Sequence, residues 1–111
     1  MSTIFKKIVD GELPADKVHE DEHCVAFRDI NPVAPTHVLV VPRKELARVD
    51  SATEADQWLL GHLLRVAGEV AKSEGLVGYR LVINNGQAAG QTVHHLHVHV
   101  IGGRVLAWPP G

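Results

Sequence analysis

Apolar residues recur along the chain with two periods, one typical of helices and the other typical of strands. Near the amino terminus the helical period predicts a short helix, capped by Ser2 and ending near Gly11 and Pro14. The apolar side of this helix consists of Ile4, Phe5, Ile8 and Val9. We expect the short helix to pack over a sheet.

The longest run of helical period begins at Ser51, where Glu54 completes a capping box, and continues to Gly75. Its apolar side chains form two neighbouring rows: Leu59, Leu63, Val66 and Val70 in one, and Leu60, Leu64, Ala67 and Ala71 in the other. An apolar band of this width predicts a long helix that packs against a sheet.

Alternating apolar and polar positions predict the strands. Residues 17–30 are typical of a hairpin with a polar tip at residues 20–22, and one face of its second arm carries Val25, Phe27 and Asp29. A carboxylate is an unusual residue at the end of a buried strand.

Three more strands are predicted further along the chain. Residues 36–41 form the first, which ends at Pro42 and has His37, Leu39 and Val41 on one face. Residues 79–84 and 93–101 form the other two, and the loop between them contains glycine. The order of elements predicts one α+β domain over residues 1–111, with a largely antiparallel sheet and helices on one of its faces.

Composition narrows the class of protein. The chain has 111 residues, of which 22% are charged, and a formal net charge of -2, so it lacks the basic surface that grips a nucleic-acid backbone. The single cysteine, Cys24, lies in an apolar stretch and is interpreted as a packing residue. Neither a secretion signal nor a membrane span is evident, which predicts a cytoplasmic protein.

Histidine is the unusual component, because half of the eight histidines fall within residues 94–99. On a strand His95, His97 and His99 share one face at intervals of about 6.6 Å, whereas His94 points to the other face and is left out of the site. A solvated strand face is one interpretation. A zinc site is another, although three such histidines span about 13 Å and strain a single tetrahedral centre.

A third interpretation is phosphoryl or nucleotidyl transfer. Two imidazolium ions about 7 Å apart repel by about 2.4 kcal/mol at an effective dielectric constant of ~20, so the three rings are not all charged at neutral pH. The strand therefore supplies a neutral imidazole as nucleophile and retains a protonated neighbour for phosphate oxygens. The preceding loop, Asn84 to Thr92, adds flexible backbone amides and short polar side chains.

The run from His95 to Ile101 resembles the signature of the histidine-triad (HIT) family, in which histidines alternate with apolar residues. Further matches to its Hint branch, the histidine-triad nucleotide-binding proteins, follow one another along most of the chain. They are Ile4-Phe5 with Ile8, Phe27 to Ile30, Ala34 to His37, Asn84, Gly90 to Thr92, Gly102 to Arg104, and Trp108 to Gly111.

The resemblance implies a HIT-like fold with a five-stranded sheet, and a homodimer in which two sheets join into one of ten strands. It also implies hydrolysis of purine nucleoside 5′-phosphoramidates, such as AMP linked to an amine, without a cofactor or metal. His97 would attack phosphorus and form a nucleotidyl-histidine intermediate. His99 and Thr92 would contact the phosphate or the leaving group, and His37 and His95 would orient the imidazole.

By the same resemblance, Asp29 would bind the ribose hydroxyls and Asn84 would orient the phosphate end of the site. The base pocket and the phosphate loop would be formed by Phe5, Ile8, Phe27, Arg28, Ile30, Leu39, Gly90 and Gln91. Two positions depart from many relatives: Thr92 stands in place of serine, and Arg28 adds a charge near the base. Without the resemblance, Asp29 is equally typical of a turn.

Two other functions stay open from the sequence. Some HIT branches cleave dinucleoside polyphosphates or transfer nucleotidyl groups, but the third histidine, His99, is typically glutamine in the transferases. The protein could also serve as a nucleotide-binding or partner-binding regulatory module with residual hydrolase activity. The remaining histidines, His19, His23 and His62, are interpreted as ordinary surface or helix residues.

Overall fold

The computed structural model describes residues 2–111, and their five strands form a single antiparallel sheet. The strands are β1 (Lys17–Glu20), β2 (Cys24–Arg28), β3 (Thr36–Pro42), β4 (Tyr79–Val82) and β5 (Val98–Gly102). Their order in the sheet is β1-β2-β3-β5-β4, and each neighbouring pair is antiparallel. The predicted α+β fold is therefore confirmed.

The two helices, α1 (Ile4–Val9) and α2 (Gln57–Ser73), lie on opposite faces of the sheet. The strand side chains that pack against α2 are Ala26, Val38, Val40, Val98 and Val100. Those that pack against α1 are Val25, Phe27, Leu39 and Val41. The expectation that both helices share one face was wrong. Since β2 and β3 are apolar at successive positions, both of their faces need cover.

Both helices begin later than predicted. The cap of α1 is Thr3 rather than Ser2, and its Oγ1 accepts a hydrogen bond from the Lys6 backbone N–H at 3.1 Å. Before α2 lie two single-turn 3₁₀ helices, Val49–Ser51 and Glu54–Asp56. The capping box is formed two residues beyond the predicted one, where the Thr53 backbone N–H donates to Asp56 Oδ2 at 2.9 Å.

The last strand is shorter than predicted, because residues 93–97 are irregular and β5 begins only at Val98. Val98 pairs with Val40 of β3, so two register positions further on Leu96 would lie opposite Pro42. Pro42 has no N–H to continue the ladder. The Leu96 N–H instead donates to the Leu46 carbonyl oxygen at 2.7 Å. His95 and His97 therefore precede the strand, and only His99 lies within it.

The predicted strand 79–84 ends at Val82. Within residues 2–111, no helix is long and apolar enough to cross a membrane.

Candidate active site

Four imidazoles gather where β3 and β5 lie side by side, on the face that α1 covers. His37 belongs to β3 and His99 to β5, while His95 and His97 belong to the irregular segment before β5. The His97 and His99 ring centroids are 4.9 Å apart, which is shorter than the separation of residues i and i+2 along a regular strand. The irregular backbone thus brings the two rings into contact.

His97 is held in one tautomer by the backbone. Its Nδ1 lies 2.7 Å from the His95 carbonyl oxygen, and since a carbonyl only accepts, Nδ1 carries the hydrogen. The lone pair of the neutral ring is then on Nε2. Burial lowers the pKa of His97, and the charge of His95 lowers it further, so the neutral form prevails at neutral pH. His97 consequently has the protonation state of a nucleophile.

His37 and His99 form a directed chain of hydrogen bonds. The Val33 backbone N–H donates to His37 Nδ1 at 3.1 Å, which leaves the His37 hydrogen on Nε2. His37 Nε2 in turn donates to His99 Nδ1 at 2.9 Å, so the hydrogen of neutral His99 is on its own Nε2. His99 Nε2 is buried and has no partner among the described residues. His99 therefore holds a buried donor without an acceptor in the described part of the chain.

The protonation of His99 is also set by its surroundings. Burial, followed by the charges of His97 and His37, lowers the pKa of His99 to about 4. Burial lowers the pKa of His37 as well, although the Asp29 carboxylate opposes this effect. At neutral pH His99 is therefore a hydrogen-bond donor rather than a cation.

The ring of His95 does not contact His97 through a hydrogen bond, unlike the supporting relay that the resemblance implies for it. Its Nε2 donates to the Pro42 carbonyl oxygen at 2.8 Å, and the side chain is fully buried. The His95 backbone carbonyl, rather than the ring, holds His97. His95 is thus a positioning residue that ties the segment before β5 to the end of β3.

Asp29 has a double environment. Its Oδ1 accepts the Asn31 backbone N–H at 2.9 Å, as expected of a turn residue, and its Oδ2 lies 3.4 Å from His37 Nε2. The carboxylate also lines a cavity. Its turn role and a role towards a bound molecule are therefore compatible.

An apolar cavity of about 700 Å³ opens beside these groups. Seven residues that the resemblance assigned to nucleotide binding line it together with Asp29: Phe5, Ile8, Phe27, Arg28, Ile30, Leu39 and Thr92. The Phe5 ring connects this cavity to the nucleophile, since its edge contacts the His97 ring at a centroid distance of 4.9 Å. A volume of this size is typical of small-molecule sites.

Arg28 lines the cavity, and its positive charge is paired with two carboxylates of the protein. Its guanidinium contacts Glu74 of the α2 carboxyl end through Nη1 at 2.5 Å and Nη2 at 3.1 Å, and Asp16 through Nε at 3.5 Å. The hydrogen bond that Arg28 donates to Glu74 raises the pKa of Arg28. The charge near the predicted base pocket is thus neutralised within the protein.

Seven predicted site residues lie outside the cavity wall: the four histidines, His37, His95, His97 and His99, and three residues of the preceding loop, Asn84, Gly90 and Gln91. The Gln91 side chain is buried and fully engaged with the backbone. Its Oε1 accepts the Gly86 N–H at 2.8 Å, while its Nε2 donates to the carbonyl oxygens of Ala47 at 2.7 Å and Val93 at 3.1 Å. Gln91 therefore joins the loop before Thr92 to the segment after β3.

The cavity also includes residues that the sequence did not single out as binding residues. Besides Ile4, which was expected only as a packing residue of α1, these are Leu13, Pro14, Ala15, Asp16, Asn31 and Val93. Residues 13–16 belong to an irregular connection between α1 and β1, where no periodicity distinguishes a buried side. The proline-containing turn was the only signal there.

The fold and its histidines are those of a HIT domain, and the model of the HIT domain family matches residues 10–106. An uncharacterised HIT-like protein of Synechococcus elongatus is 57% identical over 110 residues, which cover 98% of this chain and 96% of that protein. A 14 kDa zinc-binding protein of Zea mays is 53% identical, covering 98% of this chain and 88% of its own length.

Solved structures agree with these sequence relatives. A HIT family hydrolase from Legionella pneumophila Philadelphia 1 superposes with a TM-score of 0.97 at 46% identity, covering 99% of this chain and 100% of that chain. A histidine triad protein from Clostridium difficile has a TM-score of 0.92 at 40% identity, with coverages of 96% and 95%. The chain belongs to the HIT family and has the fold of a HIT family hydrolase.

Proposed function

We propose that the protein hydrolyses purine nucleoside 5′-phosphoramidates, as members of the Hint branch do, through a nucleotidyl intermediate on His97. This proposal rests on one observation: two neighbouring rings offer nitrogens with complementary roles, one with a lone pair and one with a hydrogen. His97 offers a lone pair on Nε2, and His99 offers an N–H on Nε2 that has no partner within residues 2–111. A nucleophile beside a hydrogen-bond donor suits attack on a phosphoryl group.

In the first step His97 Nε2 attacks phosphorus, and the bond from phosphorus to the amine nitrogen breaks. The amine leaves with a proton drawn from solvent, because neutral His99 is a hydrogen-bond donor and not a proton source. His99 Nε2–H and the exposed Thr92 hydroxyl stabilise the charge on the phosphoryl oxygens. Water then attacks the same phosphorus and the bond from phosphorus to His97 Nε2 breaks. The nucleoside monophosphate leaves, a proton of the water returns to solvent, and neutral His97 is restored.

The cavity provides a place for the rest of the nucleotide. Phe5 and Phe27, whose rings meet edge to face at 5.6 Å, form with Ile8 and Leu39 an apolar wall for a purine base. Asp29 lines the same cavity and its Oδ2 is 3.4 Å from His37 Nε2, and a charged acceptor at this position suits the two ribose hydroxyls. Binding therefore places the 5′-phosphate towards the histidines.

Replacement of His97 by alanine tests the assignment. We expect His97→Ala to lose turnover of an adenosine phosphoramidate by at least about 10³-fold, since the nucleophile is gone, yet to bind AMP. Turnover is followed by release of the amine, and binding by calorimetry. The matched control is His94→Ala, which removes an exposed histidine three residues earlier. Equal turnover by the two variants would contradict the proposal.

Two alternatives are separated by the same assays. A regulatory binding module predicts AMP binding by the unsubstituted protein with only residual turnover. A dinucleoside polyphosphate hydrolase predicts a kcat/KM for diadenosine polyphosphates above that for the phosphoramidate. We expect the phosphoramidate to be the better substrate by this measure.

Zinc binding is a second candidate function, because the Zea mays relative is named for it and because donor atoms of Asp29, His37 and His99 lie within 4.8 Å of one another. The donor types, two imidazoles and one carboxylate, fit zinc. Against this, both ring nitrogens of His37 are engaged, by Val33 and by His99. Metal analysis of the unsubstituted protein and of the His99→Gln variant distinguishes zinc binding from hydrolysis at this site. Zinc that is present in the unsubstituted protein and lost in His99→Gln favours zinc binding.

A further inference from the structure

A second group of metal-binding side chains lies where β1, β2 and α2 meet. His19 is on β1, Asp21 is in the turn after it, Cys24 begins β2, and His62 is on α2. The hydrolase chemistry uses none of these four residues, which we call the turn cluster. The sequence interpretation treated both histidines as ordinary surface or helix residues, so their convergence is a finding of the structure.

Asp21 is the centre of the turn cluster, and its carboxylate is fixed in direction. Oδ1 accepts two backbone N–H groups, from His23 at 2.7 Å and from Cys24 at 2.9 Å. Arg43 Nε holds the same turn by donating to the Asp21 carbonyl oxygen at 2.8 Å. Because Oδ1 is fully engaged, Oδ2 is directed towards the remaining members of the cluster.

Three donors converge on Asp21 Oδ2. His19 Nε2 lies 2.7 Å away, His62 Nε2 2.8 Å away and Cys24 Sγ 3.5 Å away. A carboxylate oxygen has two lone pairs for such contacts, so three donors exceed its ordinary capacity. A cation that takes the place of the shared hydrogens would satisfy all four groups at once.

The donor atoms suit a particular class of cation. Those of His19, Asp21 and Cys24 lie within 4.8 Å of one another, and His62 reaches the same carboxylate oxygen from the helix. Two imidazoles, one thiolate and one carboxylate are ligands for a tetrahedral zinc-class ion rather than for calcium or magnesium, which take oxygen ligands.

The surroundings leave the cluster accessible while supporting it. The side chains of His19, Asp21 and His62 are each 20–28% exposed, so an ion can enter. The Trp58 ring stacks on His62 at 4.9 Å with an interplanar angle of 10°. The nearby cation, Arg43, is paired with Glu20 at 3.0 Å, which reduces its repulsion of a metal ion.

We propose that His19 Nε2, Asp21 Oδ2, Cys24 Sγ and His62 Nε2 form a binding site for a zinc-class divalent cation. Ligation shifts the hydrogen of each imidazole from Nε2 to Nδ1 and releases the thiol proton to solvent, and the charges of Asp21 and of the Cys24 thiolate then balance that of the ion. The bound ion links the β1–β2 turn to α2. It stabilises the folded chain, since the unfolded chain does not hold the four groups together.

Cobalt(II) is the probe for the test, because tetrahedral and thiolate-bound cobalt has characteristic absorption bands. We expect the full chain to bind one equivalent with a tetrahedral visible band and a sulfur-to-cobalt charge-transfer band. His19→Gln and His62→Gln should each weaken this binding, on the order of 100-fold. Cys24→Ser should lose the charge-transfer band, with folding verified by circular dichroism.

Two control variants locate the ion. His99→Gln alters the active-site histidines and His94→Gln removes an exposed histidine, and both should bind cobalt as the unsubstituted chain does. In Trp108→Phe the only tryptophan is Trp58, which stacks on His62, so bound cobalt should quench its fluorescence. The affinity obtained from this quenching should equal the affinity obtained from the cobalt absorption bands. Cobalt binding lost in His99→Gln, cobalt binding unchanged in His19→Gln and His62→Gln, or no binding at all would overturn the proposal.

Discussion

The carbonyl oxygen of His95 determines which nitrogen of His97 can react. By accepting the Nδ1 hydrogen it leaves the lone pair on Nε2. Alternation in the sequence identified the three histidines, but this contact depends on an irregular backbone that alternation does not describe. The same applies to the Val33 N–H that orients His37, because a loop backbone provides it. Residue identity was thus predictable, and tautomers were not.

The pH dependence of kcat/KM follows from these pKa values. Burial lowers the pKa of His97 below its usual 6.5 and that of His99 to about 4, so both rings are neutral at pH 7. Protonation of His97 as the pH falls through its lowered pKa removes the nucleophile. We therefore expect kcat/KM to be constant around neutral pH and to fall with acid only below pH 6.5, as measured by a pH–rate profile.

Asp29→Asn provides a directional version of this test. The Asp29 charge raises the pKa of His97 and of His99, and so partly opposes the effect of burial. Removing the charge should move the acid limb of kcat/KM to lower pH, separately from any loss of ribose binding. The amide oxygen of asparagine can still accept the Asn31 N–H, so the turn is retained. An acid limb that stays in place or moves to higher pH would contradict the electrostatic account.

At the scale of elements, the periodicity of apolar residues predicted which segments form helices and which form strands. It did not predict which face of the sheet each helix covers. Two rows of apolar residues correctly predicted that α2 packs on the sheet. The apolar character of β2 and β3 on both faces requires the opposite face to be covered too, and α1 covers it. The late start of the last strand depends on Pro42 of another strand, which is a non-local effect.

The loop before Thr92 is held mainly through Gln91, which makes it a test of how an element positions the site. Gln91→Ala leaves the partly buried N–H of Gly86 and two carbonyl oxygens without their Gln91 partner. We expect the free energy of unfolding to fall by about 1–3 kcal/mol and kcat to fall with it. Urea denaturation and steady-state kinetics measure the two effects.

Asn85→Ala is the matched control in the same loop. Asn85 is exposed, and its side chain accepts one hydrogen bond, from the Asp50 N–H at 3.3 Å. We expect its stability to change by no more than about 0.5 kcal/mol. Equal losses in the two variants would show that the buried Gln91 contacts have no special part in holding the loop.

At the scale of the whole molecule, we propose that two copies pair through β4. The two edges of the sheet differ: β1 exposes Lys17 and Glu20, whereas β4 and the residue after it expose Tyr79, Leu81 and Ile83. An apolar edge with free backbone groups is suited to strand pairing, whereas charges discourage it. Pairing of two β4 strands would produce the ten-stranded sheet that the sequence resemblance implies.

Sedimentation equilibrium tests this assembly. The unsubstituted chain should sediment as a dimer, and Leu81→Lys should shift it to the monomer, because a charge would replace an apolar contact at the pairing edge. Lys17→Glu at the β1 edge should remain dimeric. A monomeric unsubstituted chain, or a monomer produced by Lys17→Glu alone, would contradict pairing through β4.

The most direct test of the central claim is to trap the intermediate. Protein quenched in acetonitrile during turnover of an adenosine phosphoramidate is digested and examined by mass spectrometry. We expect an added adenylyl group on the peptide that contains His97, present also in His94→Ala and absent in His97→Ala. An adduct on another residue would contradict nucleophilic catalysis by His97. So would turnover that proceeds without an adduct and that His97→Ala retains.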